Sequence, residues 1–331
     1  MRRYGAAAVT AAALAALIAA PVPAVAQDTL RFGKIPSTVR NVGSLYLFIA
    51  ERKGFFAREK IAIQSVLIEG GTDKMVAALD AGTIDITHSS TPYLISAVLA
   101  GSDAVAIAGE VGNPVYTLIA RPEIASYADL KGKTIGLSIG ADTISITTRK
   151  LLAKNGLREG DYQIKELVGT PVRFECLKRG ECAAVPLGQP NDLTAVTEGF
   201  RRLGDSTEAV GAFQFQVIAA RRAYAAANKD KVVRFVRAIA DAFRFIRAPE
   251  NRAEVVKAIV EQTGSSQEIA RAVTALYFEP DRGAMPRQAE IDVNGLAQVI
   301  TFMGEAGALK APLPKAEQFV DLQYLRAAGI E

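Results

Sequence analysis

Strand-like and helix-like segments alternate along this chain, and the alternation occurs twice. Residues 30–35 read as a strand broken by Pro36-Ser37-Thr38, and 44–53 carry Leu45, Phe48 and Ile49 at helical spacing before Gly54. Residues 61–68 form the next strand, and Gly70-Gly71-Thr72-Asp73 leads into a helix with Thr72 or Asp73 as its cap. A short strand at 84–87 precedes His88-Ser89-Ser90-Thr91-Pro92, a helix at 94–100 and a strand at 104–108. The order then recurs: strand at 134–137, helix through 152, strand at 162–168, helix at 171–179, strand at 182–186. Ala78-Leu79-Asp80-Ala81-Gly82-Thr83-Ile84 lines up with Cys176-Leu177-Lys178-Arg179-Gly180-Glu181-Cys182, each a helix end, a glycine and a strand start. Such a pattern predicts two similar α/β lobes, each around a largely parallel sheet. Residues 112–120 and 213–219 are the extended stretches that can join them, and beyond these the chain turns mostly helical. The expected division is 27–112 for lobe 1, 113–218 for lobe 2, and 219–331 for the completion of lobe 1 with C-terminal helices.

The N-terminus reads as a removable leader. Arg2 and Arg3 precede an Ala-rich apolar run at 6–20 and the segment Pro21-Val22-Pro23-Ala24-Val25-Ala26. Charged start, short apolar stretch and A-x-A site describe a signal peptide cleaved after Ala26. The Arg pair leaves general secretion and twin-arginine export both open. No Cys near the cleavage site offers a lipid acceptor, so the expected product floats free in a periplasm. Loss of two arginines takes the balance to 37 basic against 35 acidic residues, because the full chain has 39 and 35. Scattered charge of this kind gives no nucleic-acid footprint. Cys176 and Cys182, the only cysteines, either bridge in an oxidising compartment or pack as two buried thiols.

Four motifs stand in order along the chain: Ser44-Leu45-Tyr46-Leu47-Phe48-Ile49-Ala50-Glu51-Arg52-Lys53-Gly54-Phe55-Phe56, Glu69-Gly70-Gly71-Thr72-Asp73, Ala81-Gly82-Thr83-Ile84-Asp85 and Asp129-Leu130-Lys131-Gly132-Lys133-Thr134-Ile135-Gly136. In order and spacing they resemble landmarks of nitrate/sulfonate/taurine-type binding proteins of ABC importers. The resemblance implies a type II periplasmic binding protein fold with a two-stranded hinge. It also implies a small-molecule ligand, and an ABC permease with its ATPase as partners. One departure is Ala183, where an Asp is common after the Gly-turn strand start. The same fold resembles thiamine-pyrimidine-precursor binding proteins and related synthases, which keeps a synthase-like enzyme as the alternative. The expected protein is a monomer, is not an enzyme and uses no cofactor or metal: one His cannot build a metal site alone, and no His/Cys/carboxylate cluster has ligand spacing.

Ligands of α/β sheets bind at the carboxyl ends of strands, where free helix N-termini also favour anions. The candidate contacts are therefore the small, hydroxyl-rich loops: Ser37 and Thr38; Gly71 and Thr72; Ser89, Ser90 and Thr91; and Ser138, Gly140, Ala141, Asp142 and Thr143. Plain helix capping is the competing role for these residue types. Arg40, with Asn41 beside it, offers a bidentate partner for a carboxylate or sulfonate, or else lies in solvent. His88 is a ligand donor or a structural histidine, and Asp142 a cap or the holder of an ammonium group. Asn113, Gln189, Pro190, Phe213 and Gln214 fall near the crossovers and complete the set. The expected ligand is a small organic anion or zwitterion such as a sulfonate or carboxylate.

Overall fold

The computed structural model describes residues 27–278 and 283–330. The expected leader, residues 1–26, lies outside the described residues. The first half runs β1 (Asp28–Lys34), α1 (Leu45–Arg52), α2 (Phe55–Arg58), β2 (Ile61–Leu67), α3 (Asp73–Asp80), β3 (Ile86–Ser90), α4 (Thr91–Leu99) and β4 (Ala104–Val111). The chain crosses over and continues with β5 (Thr117–Ala120), β6 (Thr134–Leu137), α5 (Thr143–Lys154), β7 (Gln163–Glu166), α6 (Thr170–Lys178), β8 (Ala184–Leu187), α7 (Asn191–Thr197) and β9 (Arg201–Asp205). It returns as β10 (Gln216–Arg221), followed by α8 (Arg222–Ala227), α9 (Lys229–Arg247), α10 (Arg252–Thr263), α11 (Gln267–Phe278), α12 (Val293–Glu305) and α13 (Gln323–Ala327).

Two five-stranded sheets result, ordered β2-β1-β3-β10-β4 and β7-β6-β8-β5-β9. In each, four strands run one way and the fifth runs against them. The odd strand is the one arriving from the other half of the chain, β10 in the first sheet and β5 in the second. The helix–glycine–strand echo has a structural counterpart: Gly82 (φ 68°) precedes β3 and Gly180 (φ 75°) precedes β8, the central strands of the two sheets. Glycine meets the left-handed turn without a Cβ penalty at both helix ends.

The sequence places a loop at His88-Ser89-Ser90, but β3 continues through Ser90 and the helix starts at Thr91. The reason is burial on both faces. β3 lies between β1 and β10, and all five of its residues are buried, so ladder hydrogen bonds outweigh its polar composition. The first-lobe core is aromatic: Tyr46 stacks on Phe243 at 4.8 Å, and Phe235 packs with Phe32 and Phe56 at 6.0 and 5.9 Å. These partners sit on α9, whose apolar stripe recurs at 3.6-residue spacing and faces the sheet. Truncating one such ring typically costs about 3–5 kcal/mol.

Cys176 and Cys182 are bonded, with a Cα–Cα distance of 5.4 Å. Both are buried in a second-lobe cluster with Phe174, Leu177 and Val185. The bridge ties the end of α6 to the approach to β8. In the chain-entropy account, closing so short a loop contributes about 2 kcal/mol.

Candidate functional site

A cavity of about 80 Å³ lies between the lobes where the strand ends of both sheets meet. The segment after β1 delivers Ile35, Thr38 and Asn41; the loop after β2 delivers Gly71 and Thr72; β3 delivers Ser90. From the other side, the loop from β6 to the cap of α5 delivers Ser138, Ile139 and Asp142, while the loop after β7 and the start of α6 deliver Val168, Gly169, Thr170 and Arg173. Tyr93, Tyr116, Ile144, Phe215 and Gln216 complete the wall. The lobes touch around it: Ser90 Oγ and Thr143 Oγ1 are 3.2 Å apart, and the Tyr93 hydroxyl donates to the Ile139 carbonyl at 3.3 Å.

The cavity holds one cation and one carboxylate. Arg173 is fully buried and sits on the inward face of α6 with Thr170, Phe174 and Leu177. Its Nε donates to the Pro186 carbonyl at 2.8 Å, Nη1 to the Leu167 carbonyl at 3.2 Å and Nη2 to Thr170 Oγ1 at 3.2 Å. The guanidinium carbon lies 5.8 Å from the centre of the Tyr116 ring. Burial draws its pKa down, against the favourable field of Tyr116 and Asp142. A guanidinium nevertheless stays charged in proteins.

Asp142 caps α5, its Oδ1 accepting the Ser145 N–H at 2.8 Å. Burial raises its pKa above the ordinary 3.8, opposed by the bonds from Ser138 and Ser145 and by the field of Arg173. Tyr93 is raised too, by burial first and then by Asp142, Asp73 and Glu166. The sign for Asp142 follows from linkage. The folded state holds this proton to higher pH than the unfolded chain, so stability falls as pH rises from the unfolded value through the raised one. Asp142→Asn keeps a capping oxygen and removes that loss. The variant should therefore gain on the wild type as urea midpoints are compared from pH 4 toward neutrality. A pH-independent difference would contradict the desolvated carboxyl.

Of the residues singled out from sequence, Thr38, Asn41, Gly71, Thr72, Ser90, Ser138 and Asp142 line the cavity. The side chain of Ser37 lies outside the described ones. Arg40 is exposed and is not in the wall. His88 lies in the first-lobe core, its Nδ1 3.4 Å from Glu110 Oε1, which also accepts from the Tyr46 hydroxyl at 3.0 Å. Ser89 is turned to its own strand and bonds the Ser90 carbonyl. Thr91 Oγ1 donates to the Gln214 carbonyl at 2.7 Å, and Thr143 forms the interlobe contact above. Gly140 donates its N–H to Glu166 at 3.0 Å on the exposed side, and Ala141 lines the outer groove between α5 and α12. Asn113 is in the first crossover but not the wall. Gln189 holds Asp192 at 2.6 Å, and Pro190 precedes α7.

Phe213 and Gln214 lie in the second passage between the two sheets, just before β10. Phe213 packs on Phe302 at 6.1 Å. Gln214 Nε2 donates to the Gln216 and Val111 carbonyls at 2.8 and 3.2 Å, and its Oε1 accepts the Asp292 N–H at 2.7 Å. The passage runs so close over α12 that a Cβ at Gly295 would meet the Phe213 carbonyl carbon at 2.6 Å. Sequence reasoning chose Arg40 and missed Arg173. Apolar and polar residues are mixed around the 170–178 helix, and Val172 is exposed while Arg173 is buried, so no apolar stripe in the sequence marks Arg173.

Among the described residues, no set of three or more His, Cys, Asp and Glu side chains is placed to hold a metal ion, and no helix is long and apolar enough to cross a membrane. A family model described as NMT1/THI5 like matches residues 41–253. No curated relative matches the chain. Among solved structures, the ligand-binding component of an ABC-type import system from Staphylococcus aureus, with zinc bound, superposes with a TM-score of 0.74 at 14% identity, covering 91% of this chain and 99% of that one. The periplasmic nitrate-binding protein NrtA from Synechocystis PCC 6803 gives 0.70 at 15% identity, covering 92% and 86%. The alkanesulfonate-binding protein SsuA from Xanthomonas axonopodis pv. citri, bound to MOPS, gives 0.64 at 21% identity, covering 92% and 99%. This chain shares their fold, that of the periplasmic binding proteins.

Proposed function

Because this chain belongs to the NMT1/THI5-like family, we propose that it is an extracytoplasmic solute receptor that traps a small organic zwitterion or anion between its lobes and presents it to an ABC permease. The observation that carries this reading is that buried Arg173 and buried Asp142 both line one interlobe cavity at the strand ends, without bonding each other directly. An anionic sulfonate or carboxylate suits the buried positive charge of the guanidinium, which is already held by Pro186, Leu167, Thr170 and Tyr116, while an ammonium or hydroxyl donor suits Asp142. Thr38, Asn41, Thr72, Ser90 and Ser138 supply further polar contacts. The apolar walls from Ile35, Ile139, Val168 and Phe215 accommodate a short carbon spacer.

In this account the half built on the β2-β1-β3-β10-β4 sheet moves as one lobe against the half built on the β7-β6-β8-β5-β9 sheet, so the boundary expected at 218 falls instead before β10, at Gln216. The two linking passages between the sheets act as the hinge. Export with cleavage after Ala26 accords with the Cys176–Cys182 bridge, which an oxidising compartment preserves. The test is a thermal-shift panel of amino sulfonates, alkanesulfonates, amino acids, nitrate and pyrimidines. A zwitterion such as taurine at saturating concentration should raise the midpoint, since a ligand at 100 times its Kd adds about 2.7 kcal/mol. Stabilisation by nitrate alone, or by a pyrimidine alone, would contradict the zwitterion reading.

A further inference from the structure

The cavity explains how a ligand is held, but not what holds the lobes together around it. α5 lies on the seam. Its Thr143, Ile146 and Lys150 recur at spacings of three and four, which puts them on one helix face. Each reaches the other lobe. Thr143 Oγ1 meets Ser90 Oγ at 3.2 Å, beside the cavity. Ile146 is 3% exposed and is packed into the first-lobe apolar cluster rather than the second. Lys150 is ion-paired with Glu305 of α12, and its ammonium stands 3.8 Å from the centre of the Phe302 ring. Phe302 in turn packs on Phe213 of the hinge.

We propose that Lys150 is a positioning residue for ligand capture: it latches α5 to α12 and so sets how far the closed form is populated, although it does not line the cavity. The inference rests on the receptor reading for its biological meaning, but its test needs no ligand. α5 carries Asp142 at its N-terminus and Lys150 two turns further on, so a rigid helix transmits the latch to the site. Lys150 and Glu305 are partly exposed, with side chains 27% and 55% accessible, so the ion pair is a modest one that salt weakens. The ring contact adds a comparable amount. Modest strength suits a latch that must reopen.

The experiment measures interlobe distances by pulsed dipolar spectroscopy on the ligand-free full chain. Labels go on cysteines placed at Leu67, the last residue of β2, and Val172 in the first turn of α6, exposed residues on opposite lobes. Lys150→Glu should raise the open-to-closed ratio by roughly fivefold or more, from the two lost contacts and the new repulsion with Glu305. Lys150→Arg, which keeps the charge and the ring contact, should retain the parental distribution. The thermal midpoint of the ligand-free protein should stay near the parental value in both, as a latch role requires and a core role does not. A parental distribution in Lys150→Glu, or opening in Lys150→Arg equal to that in Lys150→Glu, would overturn the proposal. Neither result depends on which solute the cavity takes.

Discussion

Replacing Arg173 with alanine should lower the free energy of unfolding by about 3–5 kcal/mol and abolish ligand capture. Both effects have one cause. The side chain is fully buried, and its removal takes a donor from the Pro186 and Leu167 carbonyls and leaves the Thr170 hydroxyl oxygen with only the long Gly188 N–H contact at 3.4 Å. Each orphaned buried group costs about 1–3 kcal/mol, and the void left behind adds to the loss. It also leaves Asp142 as a buried carboxylate with its nearest positive field gone. Arg173→Lys keeps the charge but not the fork, so it should recover only part of the stability and little of the binding. Arg173→Met fills the void without restoring any donor, which separates packing from hydrogen bonding. Urea unfolding of the three variants checks the stability order. A loss below about 1 kcal/mol in Arg173→Ala would show that the guanidinium contacts carry little of the second lobe's stability.

Gln214→Leu should cost about 3 kcal/mol or more, although the change is close to isosteric. Three backbone groups lose their partner at once: the Val111 and Gln216 carbonyls and the Asp292 N–H. Val111 and Gln216 belong to the two strands that meet at the hinge, and Asp292 caps α12. The substitution therefore loosens the joint rather than the ligand cavity. The folded fraction should bind solute with an altered closing step, seen as a changed off-rate. A stable variant that has lost affinity would instead restore Gln214 to the ligand contacts expected from sequence.

The fold was legible because its signals are local and repeated. The helix–glycine–strand unit around Gly82 and Gly180 requires a left-handed turn at the same place in each half, and the two following strands are the central ones of their sheets. Composition misled at β3, where His88, Ser89 and Ser90 look like a turn. Burial between two neighbouring strands is a tertiary property that no local window contains.

The cavity was half legible for the same reason. Thr38, Gly71, Ser90, Ser138 and Asp142 lie at strand ends, and the strand-end rule finds them without knowing the partner lobe. Arg173 does not obey it: it sits in the first turns of a helix and enters the cavity through that helix's inward face. Tyr116 and Gln216 enter because the crossover strands run backwards through each sheet, a consequence of lobe exchange rather than of any motif. Choosing Arg40 over Arg173 shows the cost of judging an arginine by its neighbours in sequence alone. Arg40 follows a strand end but is exposed, whereas Arg173 lies on a helix without an apolar stripe and is buried by the packing of that helix on its sheet.

A solute receptor of the proposed kind captures its ligand reversibly and leaves it chemically unchanged. The most direct test is calorimetric titration of the protein with the zwitterion that stabilises it best, followed by chromatographic recovery of the solute. The expected result is one site per chain, loss of that site in Arg173→Met, and a solute recovered chemically unchanged. Consumption of the solute, or titration that persists undiminished in Arg173→Met, would contradict it.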